Sequence, residues 1–414
     1  MKIGYLMQAG VVDLFTQPPS GPALHVTHVI TELTRLGHEV VLLLCWEGQL
    51  WQSVDLVHFQ PIPIHWLDQG VLRLGERLIR RIQANLKLPY AAFFESVRFS
   101  AACTQTLADC DLLFERMGWV GYGGALAAHW LKIPLILEIN GDHQQELAQL
   151  GLAPVGFQQW LSRRLTHWGV RQAAHTVATG EGWRQRFGER WQVDCAAISV
   201  VENGSELVNC LTRGQLRSFT PPSATDRAVT LVYVGGFEPW HGLAVLLRAV
   251  ATAVAQGVTL RLLLIGGGSE ETKLRQEVSA LGLTEVVTFT GYLPMRELAG
   301  YLANADIGLC PYCGRVEYSG LKLLDYKAAG LVTIASGAGG QPAVLAHGCT
   351  GWIVPPCDEE ALATAILTLS RDSEKRKAIG RAARLEAEQQ HSWRHTAQQL
   401  EEIFINVVQR GVYG

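Results

Sequence analysis

VTLVYVGGFEPWHGLAVLLRAVATAVAQGVTLRLLLIGGG, residues 229–268, holds two apolar runs of strand length, each closed by glycines, with a helix-period segment between them. Two strands joined through a helix form a β-α-β unit, the building block of a parallel sheet covered by helices on both faces. The alternation continues downstream in EVVTFTGY (285–292), ADIGLCPY (305–312) and LVTIASG (331–337). Upstream it is repeated by KIGYLM (2–7), a Pro/Gly loop, a helix from about Ala23 to Leu36, EVVLLL (39–44), DLLFE (111–115), PLILEIN (134–140), HTVAT (175–179) and AAISVVEN (196–203). Between the two series lies LTRGQLRSFTPPSATDR (211–227), a polar stretch with adjacent prolines that suits a linker. The expected organisation is therefore α/β: a Rossmann-like domain over 1–205, a linker over 206–227, a second doubly wound domain over 228–391, and a last helix, 392–414, able to cross back onto the first.

Composition supports two such units. At 414 residues the chain exceeds what one hydrophobic core usually supports, and 48% hydrophobic against 18% charged residues suffices for two buried sheets. A formal charge of −3 provides no basic field of the kind that attracts nucleic acid, so none is expected as a partner. No apolar run approaches the ~20 residues a spanning helix needs, and MKIGYLMQAG reads as a first strand, not a secretion signal. A cytoplasmic location is expected, and the nine scattered cysteines read as thiols.

Glycines follow the first two strands of the second domain, at Gly235-Gly236 and Gly266-Gly267-Gly268. Glycine lets a backbone approach a phosphate, and a helix starting just after it offers free amides and a positive dipole end; a tight βα connection needs the same residues. More distinctive is CPYCGRVEYSGLKLLDYKAAG (310–330). Glu317 and Asp325 flank a Ser319-Gly320-Leu321-Lys322 turn that should open a helix, so that amides and one ammonium converge where a diphosphate could lie. Asp325, one turn in, is placed to accept hydrogen bonds from a ribose diol; capping by solvated charges is the plainer reading of the same spacing. In the first domain, Glu115, Asn140 and the Ser20-Gly21-Pro22 loop before His25 should gather on one rim of the sheet.

From Val232 to about Trp393 the chain resembles the donor domain of glycosyltransferase family 4, in YVGGFEPWHGLAVLLRAV, LLLIGGGSEETKL, VTFTGYLPMREL, the Glu317-to-Asp325 segment and GCTGWIVPPCDEEALATAI. The first half is similar more loosely, in GPALHVTHVITELTRLGHEV, LLFERMG, IPLILEINGDHQQE and VVENGSEL. The resemblance implies the GT-B fold, two Rossmann-like domains facing a cleft. It further implies a retaining, metal-independent transfer of a sugar from a nucleoside-diphosphate sugar to a sugar, lipid-linked or small-molecule acceptor, with no cofactor beyond the nucleotide-sugar co-substrate. By position it assigns Glu317 to the donor sugar's hydroxyls and Asp325 to the ribose. Ser319, Gly320, Leu321 and Lys322 fall to the diphosphate, Tyr292 near the base, and Gly235, Gly236 and Gly267 in the donor-binding turns.

The chain departs from the family pattern where the phosphate-binding Arg and Lys would stand, at Gly236 and His241. A neutral His241 donates one hydrogen bond and only a protonated one restores charge. The family's active-site His falls on Asn140, which cannot act as a general base; Asp142 and His143 follow it as substitutes. Gly21, His25, Glu115, Asp142 and His143 are thus the acceptor-side candidates, and Glu317, Asn140, Lys322 and His241 the catalytic ones. Other motifs are discounted: Cys310-Pro311-Tyr312-Cys313 straddles a strand end where a redox CxxC opens a helix, Asp109-Cys110-Asp111 reads as a solvated turn, and His25 and His28 show no third metal ligand. VLRLGERLIRRIQANLKLPY (71–90) is either a solvated helix face or a basic patch for peripheral contact with anionic lipid. The alternatives to transfer are a non-catalytic nucleotide-binding or scaffolding relative, favoured by the lost Arg/Lys pair, and an epimerase or phosphorylase on the same fold.

Overall fold

The computed structural model describes residues 1–8, 12–15, 20–64, 71–85, 93–118, 121–141, 148, 153–211, 228–313, 320–336 and 344–413. The chain divides into two compact units, Met1–Glu202 with Thr396–Gly414, and Asn203–His395.

In the first unit, strands β1 (Lys2–Met7), β2 (Glu39–Trp46), β3 (Gln49–Ser53), β4 (Gln60–Pro61), β5 (Leu112–Arg116), β6 (Leu135–Ile139), β7 (His175–Ala178) and β8 (Ile198–Val200) form one sheet in the order β4-β3-β2-β1-β5-β6-β7-β8. Only β3 pairs antiparallel to β2, and β4 to β3. That edge comes from a hairpin turn at Glu47-Gly48, both at positive φ (50° and 75°), the conformation that matches the twist of two antiparallel strands. The helices are α1 (Gly21–Arg35), α2 (Val71–Asn85), α3 (Phe93–Thr106), α4 (Gly123–Leu131), α5 (Gly156–Gln172) and α6 (Glu181–Trp191). Helix α1 starts where the sequence marks it, with the Ser20 hydroxyl accepting from the Ala23 amide (3.4 Å) and Pro22 in the first turn.

The second unit holds β9 (Val229–Val234), β10 (Leu260–Ile265), β11 (Val287–Gly291), β12 (Ile307–Pro311), β13 (Val332–Ser336) and β14 (Trp352–Ile353), all parallel, in the order β11-β10-β9-β12-β13-β14. Its helices are α7 (Leu207–Cys210), α8 (Leu243–Ala255), α9 (Glu271–Ala280), α10 (Met295–Ala303), α11 (Leu321–Ala328), α12 (Glu359–Arg371) and α13 (Ser373–Gln390). Alternation along the strands builds two cores. Leu231, Tyr233, Leu262 and Leu264 pack on one face with Leu246, Val250 and Ile366. Val232, Leu263 and Ile265 pack on the other with Leu298, Leu302 and Tyr326. Strand order reverses between β9 and β12, so the loops leaving their carboxyl ends part to opposite faces and leave a crevice, the usual ligand position in such sheets.

The last helix, α14 (Trp393–Tyr413), belongs from Thr396 onward to the first unit. There Phe404 packs on Phe114 with ring centroids 5.0 Å apart, and Glu401 meets His38 at 2.8 Å. Among the described residues no helix is long and apolar enough to cross a membrane.

Candidate functional site

The crevice of the second unit is built by close approach of backbones. Gly235 (φ 137°) and Gly266 (φ 129°) end β9 and β10, and a Cβ on Gly266 would overlap the Gly235 carbonyl. The Gly267 carbonyl accepts from the Phe237 amide (2.9 Å), and a Cβ on Gly268 would lie 2.6 Å from that amide nitrogen. Helix α11 starts from Gly320 at φ 69°, a residue with no side chain of its own to cap the first amides.

Lys322, in the first turn of α11, extends into this crevice. Its Nζ sits 4.5 Å from the centre of the Tyr233 ring and donates to the Tyr233 hydroxyl at 3.1 Å. A Cβ on Gly235 would come within 2.9 Å of that ammonium, so the missing side chain at 235 is the space the charge occupies. Burial works against the charge, yet the Tyr233 ring and hydroxyl and the Cys310 sulfur more than offset it and the Lys322 pKa is raised. Lys322 is thus a fixed cation.

His241 is not a second one. Burial, then the neighbouring Lys322 charge, push its pKa down to about 4. The neutral ring meets the Gly236 carbonyl through Nδ1 at 2.7 Å, which requires the proton on Nδ1 and leaves Nε2 as an acceptor. The one N–H expected to reach a phosphate is therefore spent on Gly236, whose carbonyl also accepts the Tyr233 hydroxyl at 2.7 Å.

Asp325, also on α11, accepts from the Ser205 hydroxyl at 2.6 Å. Burial raises its pKa to about 7, with Ser205 opposing and Glu206 adding, so near neutrality both protonation states are populated. Tyr292 lies in the loop beyond β11, the outermost strand, and is 54% exposed. Glu317 and Ser319 lie outside the described residues, as do Asp142 and His143 of the other unit.

In the first unit Asn140 and His25 converge on a residue the sequence reading passed over, Glu138. His25 Nε2 lies 2.9 and 3.1 Å from its two oxygens, Asn140 Nδ2 donates at 3.2 Å, and Arg116 Nη1 stands 3.7 Å away. Burial alone would raise the Glu138 pKa, but His25, Arg116 and Asn140 outweigh it and the group is held below its usual value, as a carboxylate. The Asn140 carbonyl oxygen, Arg116 Nη1 and the Tyr5 hydroxyl are buried there with no hydrogen-bond partner among the described residues. An acid in the otherwise apolar run PLILEIN was the available signal.

Glu115 does not join this group. Its neighbour Arg116 shares a face with Glu138, its register partner, so alternation sends Glu115 to the opposite face, against Gly124. Burial raises its pKa to about 8 against the opposing Gly124 amide, and the buried acid is largely protonated at neutral pH. Gly21 supplies the first residue of α1. Among the described residues there is no group of three or more His, Cys, Asp or Glu side chains that could hold a metal. Asp109 and Asp111 instead meet the Lys2 side chain and amide, each at 2.7 Å.

Two family models match this chain: one described as Glycosyl transferases group 1 over residues 218–386, and a Glycosyl transferase 4-like domain over 20–204. Among curated proteins, it is 28% identical over 298 residues to a D-inositol 3-phosphate glycosyltransferase of Corynebacterium kroppenstedtii, covering 61% of this chain and 65% of that one. It is 32% identical over 183 residues to the GDP-mannose-dependent alpha-(1-6)-phosphatidylinositol monomannoside mannosyltransferase of Mycolicibacterium smegmatis, covering 43% and 48%. The chain thus spans from about half to just under two thirds of these relatives' length. Among solved structures, Anabaena HepE in complex with UDP superposes with a TM-score of 0.69 at 18% identity, over 98% of this chain and 100% of that one. Sucrose-phosphate synthase from Thermosynechococcus elongatus does so at 0.68, also 18% identical, over 98% of each. At this identity the likeness is one of fold, the GT-B fold.

Proposed function

The chain belongs to the glycosyltransferases of family 4, and from that premise we propose that it moves a sugar from a nucleoside-diphosphate sugar to a hydroxyl of a glycan, glycolipid or small-molecule acceptor, with retention at the anomeric carbon. The observation that carries this reading is the Lys322 ammonium, held on Tyr233 in the space that Gly235 leaves open, at the reversal point of the second sheet. A cation and the first amides of a helix in one crevice suit a leaving diphosphate, whose developing charge they stabilise without reorganising.

The residues divide the work by chemistry. Lys322 and the first amides of α11 bind the diphosphate and make departure of the sugar easier, with no metal required. Asp325, fixed by Ser205, receives the ribose hydroxyls. The His241 Nε2 lone pair accepts from a hydroxyl and gives the phosphates nothing. Glu317 orients the donor sugar through its hydroxyls, and the leaving diphosphate takes the acceptor proton, so no protein nucleophile is needed. Replacing Glu317 by Gln removes the charge on those hydrogen bonds and should lower kcat by roughly ten- to a hundredfold with the fold intact, a loss of about 1.5–3 kcal/mol. Assay of nucleoside-diphosphate release checks this; unchanged turnover removes Glu317 from the site.

Relatives named for phosphatidylinositol substrates support a lipid-linked acceptor, and α2 offers a means of reaching it. Leu74, Leu78 and Ile82 lie four residues apart on it, 64%, 60% and 47% exposed, with Arg77 and Arg81 exposed alongside. An apolar stripe edged by arginines matches an anionic bilayer surface. The protein should sediment with vesicles containing phosphatidylserine at low salt and be released as salt rises, and the double variant Leu74→Ser/Leu78→Ser should stay in solution. Failure of the wild type to bind such vesicles at any salt leaves α2 as a solvated helix.

A further inference from the structure

Cys313 ends the CPYC string, but its spacing partner is not its neighbour in space. Cys310 is buried within the sheet, packed with Leu323, Ala335 and Leu345. Cys313 lies beyond the end of β12, half-buried, its amide donating to the Trp240 carbonyl at 2.9 Å. There it meets Cys357, from the turn ahead of α12. The Cys357 thiol donates to the Cys313 carbonyl oxygen at 3.4 Å, and it stands near enough to help push the Cys313 pKa up. The Cys357 sulfur thus lies against the Cys313 main chain, which sets the two cysteines side by side, as a disulfide requires. Cys357 is exposed and stands at φ 58°, a left-handed conformation that residues with a Cβ adopt sparingly.

We propose that Cys313 and Cys357 form a reversible dithiol–disulfide pair, oxidised by a low-molecular-weight disulfide. The exposed Cys357 attacks first: its thiolate displaces one thiolate from the reagent and becomes a mixed disulfide. Cys313 then attacks the Cys357 sulfur, expels the second small thiol and closes the link. Two protein thiols and one small disulfide become one protein disulfide and two small thiols, with both protons passing to the leaving thiolates. Burial, with the Cys357 thiol beside it, pushes the Cys313 pKa up to about 12, which makes Cys313 the resolving partner; capping Cys357 removes that neighbour's share. The link ties the chain leaving β12, which is bonded to the residue before His241, to the start of α12.

The folded, reduced protein is incubated with oxidised glutathione, alkylated, and analysed by intact mass and peptide mapping. The wild type should lose two alkylatable thiols and about 2 Da through a Cys313–Cys357 cross-link, reversed by dithiothreitol. Cys313→Ser should instead stop at a glutathione adduct on Cys357. Cys357→Gly, which also suits the left-handed backbone, should show neither product. The exposed Cys210 and Cys349 report background adducts in every variant. A lasting adduct on Cys357 in the wild type, a cross-link to another cysteine, or no reaction at either position would overturn the proposal.

Discussion

Lys322→Met is expected to weaken nucleoside-diphosphate binding by about ten- to a hundredfold while leaving affinity for the parent nucleoside nearly unchanged. A hydrogen bond to a charged group contributes roughly 1.5–3 kcal/mol, and each 1.4 kcal/mol is tenfold in affinity. Among the described residues His241 does not compensate, because burial, the larger cause of its lowered pKa, still opposes its charge in the variant and its one N–H is taken by Gly236. Met keeps the length and apolar stem of Lys, so the fold should persist. Calorimetric titration of both proteins with the diphosphate and the nucleoside separates the outcomes: equal diphosphate affinities would take Lys322 out of the phosphate site, and a parallel loss for the nucleoside would mean a general defect.

Gly266→Ala should cost more stability than any charge change at this site. The position combines φ 129° with backbone contact, since the added methyl would overlap the Gly235 carbonyl. Strain at such a φ costs of order 1–3 kcal/mol and forced displacement of packed neighbours roughly as much again, so a loss of about 2–5 kcal/mol is expected. In a unit of this size that lowers Tm by roughly 4–20 °C. Nucleotide binding should fall with it, because the displaced carbonyl belongs to the turn whose empty side chain houses Lys322. Gly300, within α10 and with nothing near its missing Cβ, is the matched control, where Ala should be neutral or mildly stabilising. A Gly266→Ala protein melting with the wild type would refute the close approach.

The parallel core of the fold was legible because its strands are continuous apolar runs punctuated by glycines. The antiparallel edge was not: QLWQS is half polar, and only the Glu47-Gly48 pair betrays the hairpin. Site chemistry was legible in residue type and much less in role. Lys322 was identified, but Tyr233, which holds it, is one more aromatic in an apolar strand and carries no local mark. The sequence allowed His241 either charge state, and burial with the neighbouring Lys322 charge decides for the neutral one, against the Gly236 carbonyl. Glu115 ends a strand run and so reads as a rim residue. A one-residue difference in parity instead gives that face to Arg116 and Glu138 and buries Glu115 behind the sheet.

If the second unit binds a nucleoside diphosphate through its phosphates, thermal unfolding with a panel of nucleoside diphosphates, their sugars and parent nucleosides should report it. A ligand at a hundred times its Kd adds about 2.7 kcal/mol, which for a unit near this size raises Tm by roughly 5–10 °C. At least one nucleoside diphosphate and a sugar derived from it should give such a shift, and its nucleoside at the same concentration far less. No shift with any member at millimolar concentration would contradict the account and leave a non-catalytic relative of the family as the better description.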